Sequence, residues 1–278
     1  MQVVKTVADV RRIRAGSAAT WGLVPTMGFL HAGHISLVER ARIENDLVGV
    51  SVFVNPTQFG PNEDLAAYPR DLNRDLGLLE QAGADLVWAP DVEEVYPPDY
   101  QTYIVVEEVT KPLEGAARPG HFRGVATVVA KLFNVFLPDR VYFGQKDAQQ
   151  VVVIRQMAKD LNFPVELVVC PTVREPDGLA MSSRNVYLTP EQRAAAPVLY
   201  RALSAARDVW SKGERDGERL RQAMRRVLEA EPLARPEYVS AADPYTLEEL
   251  GLASRGVLLS MAVRIGKARL IDNLLLTV

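Results

Sequence analysis

Runs of β-branched and other apolar residues alternate with amphipathic stretches through the first two thirds of the chain. Residues 21–26 read as a strand that ends in a turn, and residues 33–45 as a helix whose apolar stripe is Ile35, Leu37, Val38 and Ala41. The run 46–54 is apolar almost without interruption, the pattern of a strand buried on both faces. The alternation continues with a helix over 71–82, a strand over 85–89 and an apolar helix over 125–136. A strand over 140–143, a helix over 148–161 and a strand over 165–170 complete it. Such alternation predicts a parallel sheet with crossover helices.

A parallel sheet takes its ligand beyond the carboxyl ends of its strands, so residues with unusual chemistry are expected just after each strand. Pro25-Thr26-Met27-Gly28 follows the strand at 21–26, and Asn55-Pro56-Thr57-Gln58-Phe59-Gly60 follows the one at 46–54. Gly144-Gln145-Lys146-Asp147 follows the strand at 140–143, and Pro171-Thr172-Val173-Arg174 the one that ends at Cys170. Four loops are thereby predicted at one edge of the sheet. After residue 189 the character changes to helical segments rich in Ala, Arg and Glu over 190–231, interrupted by the polar stretch 211–217. Short strands over 236–241, 257–263 and 268–273 follow. The pattern predicts two domains, a larger α/β domain over 1–184 and a smaller α+β domain over 185–278. No internal repeat and no low-complexity tract is present.

Composition narrows the function. The 278 residues are 48% hydrophobic and 24% charged, with a formal net charge of −3. That balance gives no electrostatic reason for nucleic acid or an anionic membrane as partner. The single cysteine, Cys170, lies in the apolar run 165–170, so it reads as a buried structural thiol and a reducing compartment, the cytoplasm, is expected. Neither a signal-peptide pattern at the N-terminus nor an apolar run long enough to span a bilayer is seen.

Two of the three histidines fall in Met27-Gly28-Phe29-Leu30-His31-Ala32-Gly33-His34, where a strand loop enters a helix. A helix start offers free N–H groups and the positive end of its dipole to a phosphate, and imidazole N–H groups can add donors. The same pair could instead cap the helix or hold a metal; no further Cys/His/Asp cluster supplies the remaining zinc ligands. In Met181-Ser182-Ser183-Arg184-Asn185, small hydroxyls stand beside an arginine suited to phosphate, although an ordinary serine-rich turn has the same composition.

Three further segments carry candidate chemistry. In Gly144-Gln145-Lys146-Asp147-Ala148-Gln149-Gln150, Lys146 can reach a phosphate, Asp147 can cap the next helix or meet a ribose hydroxyl, and Gln150 can orient a hydroxyl or carboxylate. Gln58 offers donor and acceptor together, while Asn55 in its Asn-Pro turn could be architectural. Arg118-Pro119-Gly120-His121-Phe122-Arg123-Gly124 is a basic, glycine-rich approach to a helix, with His121 and Arg123 able to cradle an anion or to belong to a simple loop.

The paired histidine and Ser-Ser-Arg loops resemble the two signature loops of the nucleotidylyltransferase superfamily. Taken with Pro25 to Gly28, Phe53 to Phe59, Gly120 to Val125 and Phe143 to Asp147, they resemble, in order, the signature segments of the pantoate–β-alanine ligase family. The resemblance implies a Rossmann-like parallel sheet with helices on both faces, a smaller C-terminal α+β domain acting as a lid, and a homodimer. It implies condensation of (R)-pantoate with β-alanine through a pantoyl-adenylate, with ATP as co-substrate and Mg²⁺ accompanying it. Carried over by position, Met27, Gly28, Phe29, Leu30, His31, Ala32, Gly33 and His34 lie along ATP, together with Gly144, Gln145, Lys146, Asp147, Val173, Met181, Ser182, Ser183 and Arg184. His34, His31, Lys146 and Arg184 are the expected catalytic residues. Gln58, Gln150, Asn55, Pro25, His121 and Arg123 are the expected substrate contacts, Gln58 for both acid and amine. No metal ligand is identified; Asp71 and Asp75 are the acidic positions that could touch Mg²⁺ through water.

Two other readings are weaker. A nucleotidyltransferase acting on a phosphorylated metabolite would need no amine. A non-catalytic nucleotide-binding regulator would not need the full set of His31, His34, Lys146 and Arg184.

Overall fold

The structure, a computed structural model, describes residues 1–61 and 63–277; Asn62 and Val278, which belong to the two expected domains, lie outside the described residues. In chain order the elements are β1 (Gln2–Val4), α1 (Val7–Ala15), β2 (Trp21–Thr26), α2 (Ala32–Glu44), β3 (Leu47–Val52), α3 (Leu72–Gln81) and β4 (Leu86–Trp88). They continue with α4 (Val92–Val95), α5 (Glu114–Ala117), α6 (His121–Phe136), β5 (Arg140–Gly144), α7 (Ala148–Asp160) and β6 (Glu166–Cys170). The rest are α8 (Pro190–Ala195), α9 (Val198–Ser211), α10 (Gly217–Glu229), β7 (Ala234–Ala242), β8 (Val257–Ile265) and β9 (Ala268–Leu276).

The chain folds as two compact units, each assembled from more than one stretch of sequence. The first comprises Met1–Glu107, Arg118–Gly144 and Val153–Pro171. Its six-stranded sheet has the order β1-β4-β3-β2-β5-β6, with every pairing parallel. From β4 inward this is the strand order of a Rossmann-like half, and the order reverses between β2 and β5. On one face Val24, Val48 and Val50 pack with Leu37, Val38 and Ala41 of α2 and Leu79 of α3. On the other, a side chain at Gly49 would stand 2.6 Å from the Phe136 ring of α6, so the missing Cβ lets that helix lie directly on the strand. Helices therefore cover both faces.

The second unit comprises Glu108–Ala117, Gln145–Val152 and Thr172–Val278. Its antiparallel sheet β7-β8-β9 buries Leu259, Met261 and Val263 against Leu199, Leu203 and Leu220 of α9 and α10. Among the described residues no helix is long and apolar enough to cross a membrane.

Three features depart from the sequence pattern. Strand β1 is three residues long and mostly exposed, so it has no apolar signature and exists by pairing Gln2–Val4 with Leu86–Trp88. Helix α1 has only Val10 fully buried, too little for an apolar stripe. Helix α6 starts at His121, four residues before the expected start at Val125, because Gly120 takes a left-handed φ of 85° that turns the chain into the helix. Cys170 is buried in β6, as its apolar run predicts, and burial pushes its thiol pKa up.

Candidate active site

In the first unit, the loop after β2 is held from inside. The Thr26 hydroxyl donates to Ser51 O (2.7 Å) and accepts Gly28 N–H (3.3 Å). Gly28 and Phe29 both have positive φ, 82° and 50°, a turn that favours glycine and costs a phenylalanine conformational energy. The compensation comes from Asp75 of α3, whose two oxygens accept Phe29 N–H (2.7 Å) and Leu30 N–H (2.8 Å). Burial pushes the Asp75 carboxyl up against the pull of those two N–H groups and of nearby Arg74. Asp71, the other acidic candidate for Mg²⁺, caps α3 by accepting Arg74 N–H at 3.1 Å.

The loop then delivers two histidines to the start of α2. His31 is the N-cap, and its Nδ1 accepts Gly33 N–H at 3.1 Å; His34 Nδ1 accepts His31 N–H at 3.3 Å. The helix cap is a reciprocal box built from two imidazoles whose centroids are 4.0 Å apart. An Nδ1 that accepts a hydrogen bond carries no proton, so each neutral ring holds its proton on Nε2. Capping thus occupies the Nδ1 edges of both rings.

Gln58 closes the turn after β3 and is buried. Its Oε1 accepts Asn55 Nδ2 (3.0 Å), and its Nε2 points to Met27 Sδ (3.1 Å), joining this turn to the histidine loop. Asn55 also donates to Gly124 O (3.1 Å) and accepts the Tyr96 hydroxyl (2.9 Å), so its side chain helps to hold the turn. A Cβ at Gly124 would lie 2.3 Å from Thr57 O, so α6 can approach the turn only as glycine. His121 Nδ1 stands 2.8 Å from Gln58 O and its Nε2 3.1 Å from Arg118, which is itself paired with Glu63. Arg123 lies over the Tyr103 ring, 4.4 Å from its centroid. Pro25 sits in β2 beside Ser51, and Gly144 at the end of β5 beside Cys170.

In the second unit, Gln145, Lys146 and Asp147 form a single 3₁₀ turn ahead of α7. Asn273 of β9 donates to Gln145 O (3.0 Å) and Lys146 O (2.9 Å) and accepts Gln145 Nε2 (3.0 Å). Lys146 Nζ is 3.8 Å from Asp147. Of the two adjacent glutamines, Gln149 is structural: buried, it accepts Glu114 N–H (2.9 Å) and donates to Val109 O and Pro112 O. Gln150 is the partly exposed one.

The second phosphate-suited loop is tied back to Val173, whose carbonyl accepts Met181 N–H at 3.0 Å. Ser182 caps the 3₁₀ turn Ser183–Tyr187 by accepting Arg184 N–H at 3.2 Å, and Ser183 is buried. Arg174 pairs bidentately with buried Asp272 (2.6 and 2.9 Å), lies over the Tyr200 ring and donates to Gly178 O. Asp75, Asn273 and the Arg174–Asp272 pair are the supporting residues that the motifs do not reveal. Among the described residues no group of three or more His, Cys, Asp or Glu is placed to hold a metal ion.

A switch point at the carboxyl edge of a parallel sheet, with a histidine-capped helix starting beside it, is the arrangement of a Rossmann-like α/β protein. A family model described as pantoate-β-alanine ligase matches residues 2–275. The chain is 66% identical over 277 residues to the pantothenate synthetase of Chloroflexus aggregans, covering 99% of this chain and 100% of that one. It is 55% identical to that of Moorella thermoacetica over 281 residues, covering 100% of this chain and 99% of the relative. The crystal structure of pantothenate synthetase from Thermus thermophilus matches with a TM-score of 0.95 at 54% identity, covering 99% of each chain. A Francisella tularensis pantoate-β-alanine ligase structure, complexed with beta-gamma ATP and β-alanine, matches with a TM-score of 0.82 at 36% identity, covering 99% of this chain and 97% of that one. The chain belongs to the pantoate–β-alanine ligase family.

Proposed function

We propose that this chain condenses (R)-pantoate with β-alanine through a pantoyl-adenylate, consuming ATP and releasing AMP and pyrophosphate. The observation that carries the reading is the His31–His34 cap, which aims two Nδ1 atoms at backbone and so fixes two Nε2–H donors at a helix N-terminus. Family membership and the ATP- and β-alanine-bound relative support the substrates.

A carboxylate is a poor electrophile toward an amine. In the first step a pantoate oxygen attacks the α-phosphorus of ATP, the bond to the α,β-bridging oxygen breaks, and pyrophosphate leaves. Negative charge grows on that bridging oxygen, which imidazole N–H groups, the α2 helix end, Lys146 and Arg184 are chemically suited to stabilise. His34 is the proposed hydrogen-bond donor to that oxygen through Nε2–H, with His31 beside it on the phosphates; Ser182 and Ser183 add hydroxyl donors. In the second step the neutral amine of β-alanine attacks the acyl carbon of the mixed anhydride, and AMP leaves. The ammonium proton passes to water or to the adenylate phosphate. Positioning and electrostatics dominate such chemistry.

Met27 to His34, Gly144 to Asp147, Val173 and Met181 to Arg184 are assigned to ATP, Gln58 and Gln150 to pantoate, and Gln58 also to β-alanine. Asn55 and His121 support Gln58 through the hydrogen bonds given above, and Pro25 borders the same loop. Arg123, stacked on Tyr103, is the weakest of the assigned contacts. Mg²⁺ enters this reading as part of the ATP substrate. The residues do not fit a resident ion: no acidic cluster is placed for it among the described residues, and both oxygens of Asp75 are taken by backbone N–H groups. A nucleotide- and pantoate-binding domain over 1–184, a lid over 185–278, a homodimer and a cytoplasmic location complete the reading, on the family resemblance.

The test is release of AMP. It is expected only when (R)-pantoate, β-alanine and ATP are all present; AMP formation independent of the amine, or a dinucleotide-like product, overturns the proposal.

A further inference from the structure

The dipeptide Asp272-Asn273 lies in β9, far along the chain from every segment with a chemical motif, and both side chains are buried. They serve different loops. Asn273 makes three hydrogen bonds to the Gln145–Lys146 turn, two of them from its amide nitrogen to consecutive carbonyls. Asp272 takes both terminal nitrogens of Arg174 and also accepts Asn273 N–H at 2.8 Å. Arg174 in turn holds Gly178 O, and Val173 beside it is bonded to Met181.

Two carbonyls that accept from one buried amide have a fixed separation and direction, because the amide is planar and its buried nitrogen has no water to turn to. A 3₁₀ turn of three residues has few internal hydrogen bonds with which to set its own orientation. We infer that Asn273 is a positioning residue: it sets the direction in which Lys146 leaves its turn, while Asp272 locks Asn273 to the loop carrying Val173. The inference rests on the proposed phosphate role of Lys146.

The experiment is a double-mutant cycle between Asn273→Asp and Lys146→Ala, read as kcat and KM for ATP per folded molecule, with the melting temperature followed alongside. Aspartate keeps the size of asparagine but turns its two donors into acceptors facing carbonyls. Asn273→Asp alone is expected to lower kcat/KM for ATP by about 10- to 100-fold. In the Lys146→Ala background the same change is expected to cost less than about threefold, since a residue that acts through Lys146 has nothing left to position. A full effect in that background, or near-normal kinetics of the single variant, overturns the inference. Should Asn273→Asp fail to fold, Asn273→Ser, which keeps one donor, replaces it; failure of both to fold makes Asn273 a purely structural residue and also overturns it. Wild type that needs no pantoate and β-alanine to release AMP, or Lys146→Ala with normal turnover, would fault the proposed function instead.

Discussion

The buried carboxylate of Asp75 accepts the backbone N–H of Leu30 at 2.8 Å, one residue before the first histidine of the α2 cap. Its second oxygen holds Phe29, whose φ of 50° a phenylalanine adopts only under constraint. The loop that carries His31 and His34 is therefore shaped by a residue of another helix. Asp75→Asn puts an amide nitrogen where one of two backbone donors must be accepted. A stability loss of about 1–3 kcal/mol is expected, with turnover lowered about 100-fold by the displaced histidines. Thermal unfolding and AMP release measure the two effects; unchanged turnover in a destabilised variant would remove Asp75 from the positioning of the histidines.

His34 caps α2 with its Nδ1 edge, and the proposed donation to phosphate uses the other edge; substitutions separate the two. His34→Asn keeps an acceptor near the Nδ1 position but loses the donor on the far edge. It is expected to retain most of the capping, worth about 1 kcal/mol, and to lose turnover by at least about 100-fold. His34→Ala should lose both. Equal activity of His34→Asn and wild type in the AMP assay would assign the histidine to the cap alone.

Gly124→Ala tests the Gln58 turn. A methyl 2.3 Å from Thr57 O cannot be accommodated without moving α6 or the turn. Destabilisation of about 1–3 kcal/mol is expected, with a raised KM for pantoate that exceeds any change in KM for ATP. A variant with wild-type KM for pantoate would dissociate the turn from the acid.

The adenylate can be sought directly. With pantoate and ATP but no β-alanine, labelled pyrophosphate should exchange into ATP, because the first step is complete and reversible without the amine. No exchange above the rate without pantoate would argue for a concerted route.

Alkaline pH reports on two tyrosines. Burial pushes the hydroxyls of Tyr96 and Tyr142 up from 10.0 to about 12, helped in Tyr142 by the carboxylate of Glu44. A group that holds its proton more tightly when folded contributes stability that is full below its unfolded pKa and is lost as pH rises through the folded value. Stability should therefore fall between pH 10 and about 12, tracked by circular dichroism and the tyrosinate absorbance. In Tyr142→Phe the slope should be shallower; an identical slope would detach Tyr142 from the transition.

Much of this protein is decided locally. The run at 47–52, apolar but for Ser51, has the pattern of a strand buried on both faces, and its alternation with amphipathic stretches points to the parallel α/β sheet. Because all six strands run the same way, the residues after Thr26, Val52, Gly144 and Cys170 leave the sheet at one edge, and the order of strands and motifs along the chain is enough to assign them there. The boundary of α6 and the existence of β1 were not legible, since one depends on the left-handed φ of Gly120 and the other on a partner strand far along the chain. Within the motifs, composition could not separate capping from chemistry. Only the fold shows that His31 and His34 cap with Nδ1, that Gln149 is a buried clamp beside Gln150, and that Asn55 serves the turn. Asn273, and the role of Asp75 as an anchor of the histidine loop, leave no local trace, because a hydrogen bond to a backbone N–H or carbonyl constrains the donor and acceptor in space and says nothing about the residue type at the other end. Local patterning thus selects the elements and the loops; which atom of each side chain is left facing a ligand is set by partners that only tertiary packing brings near.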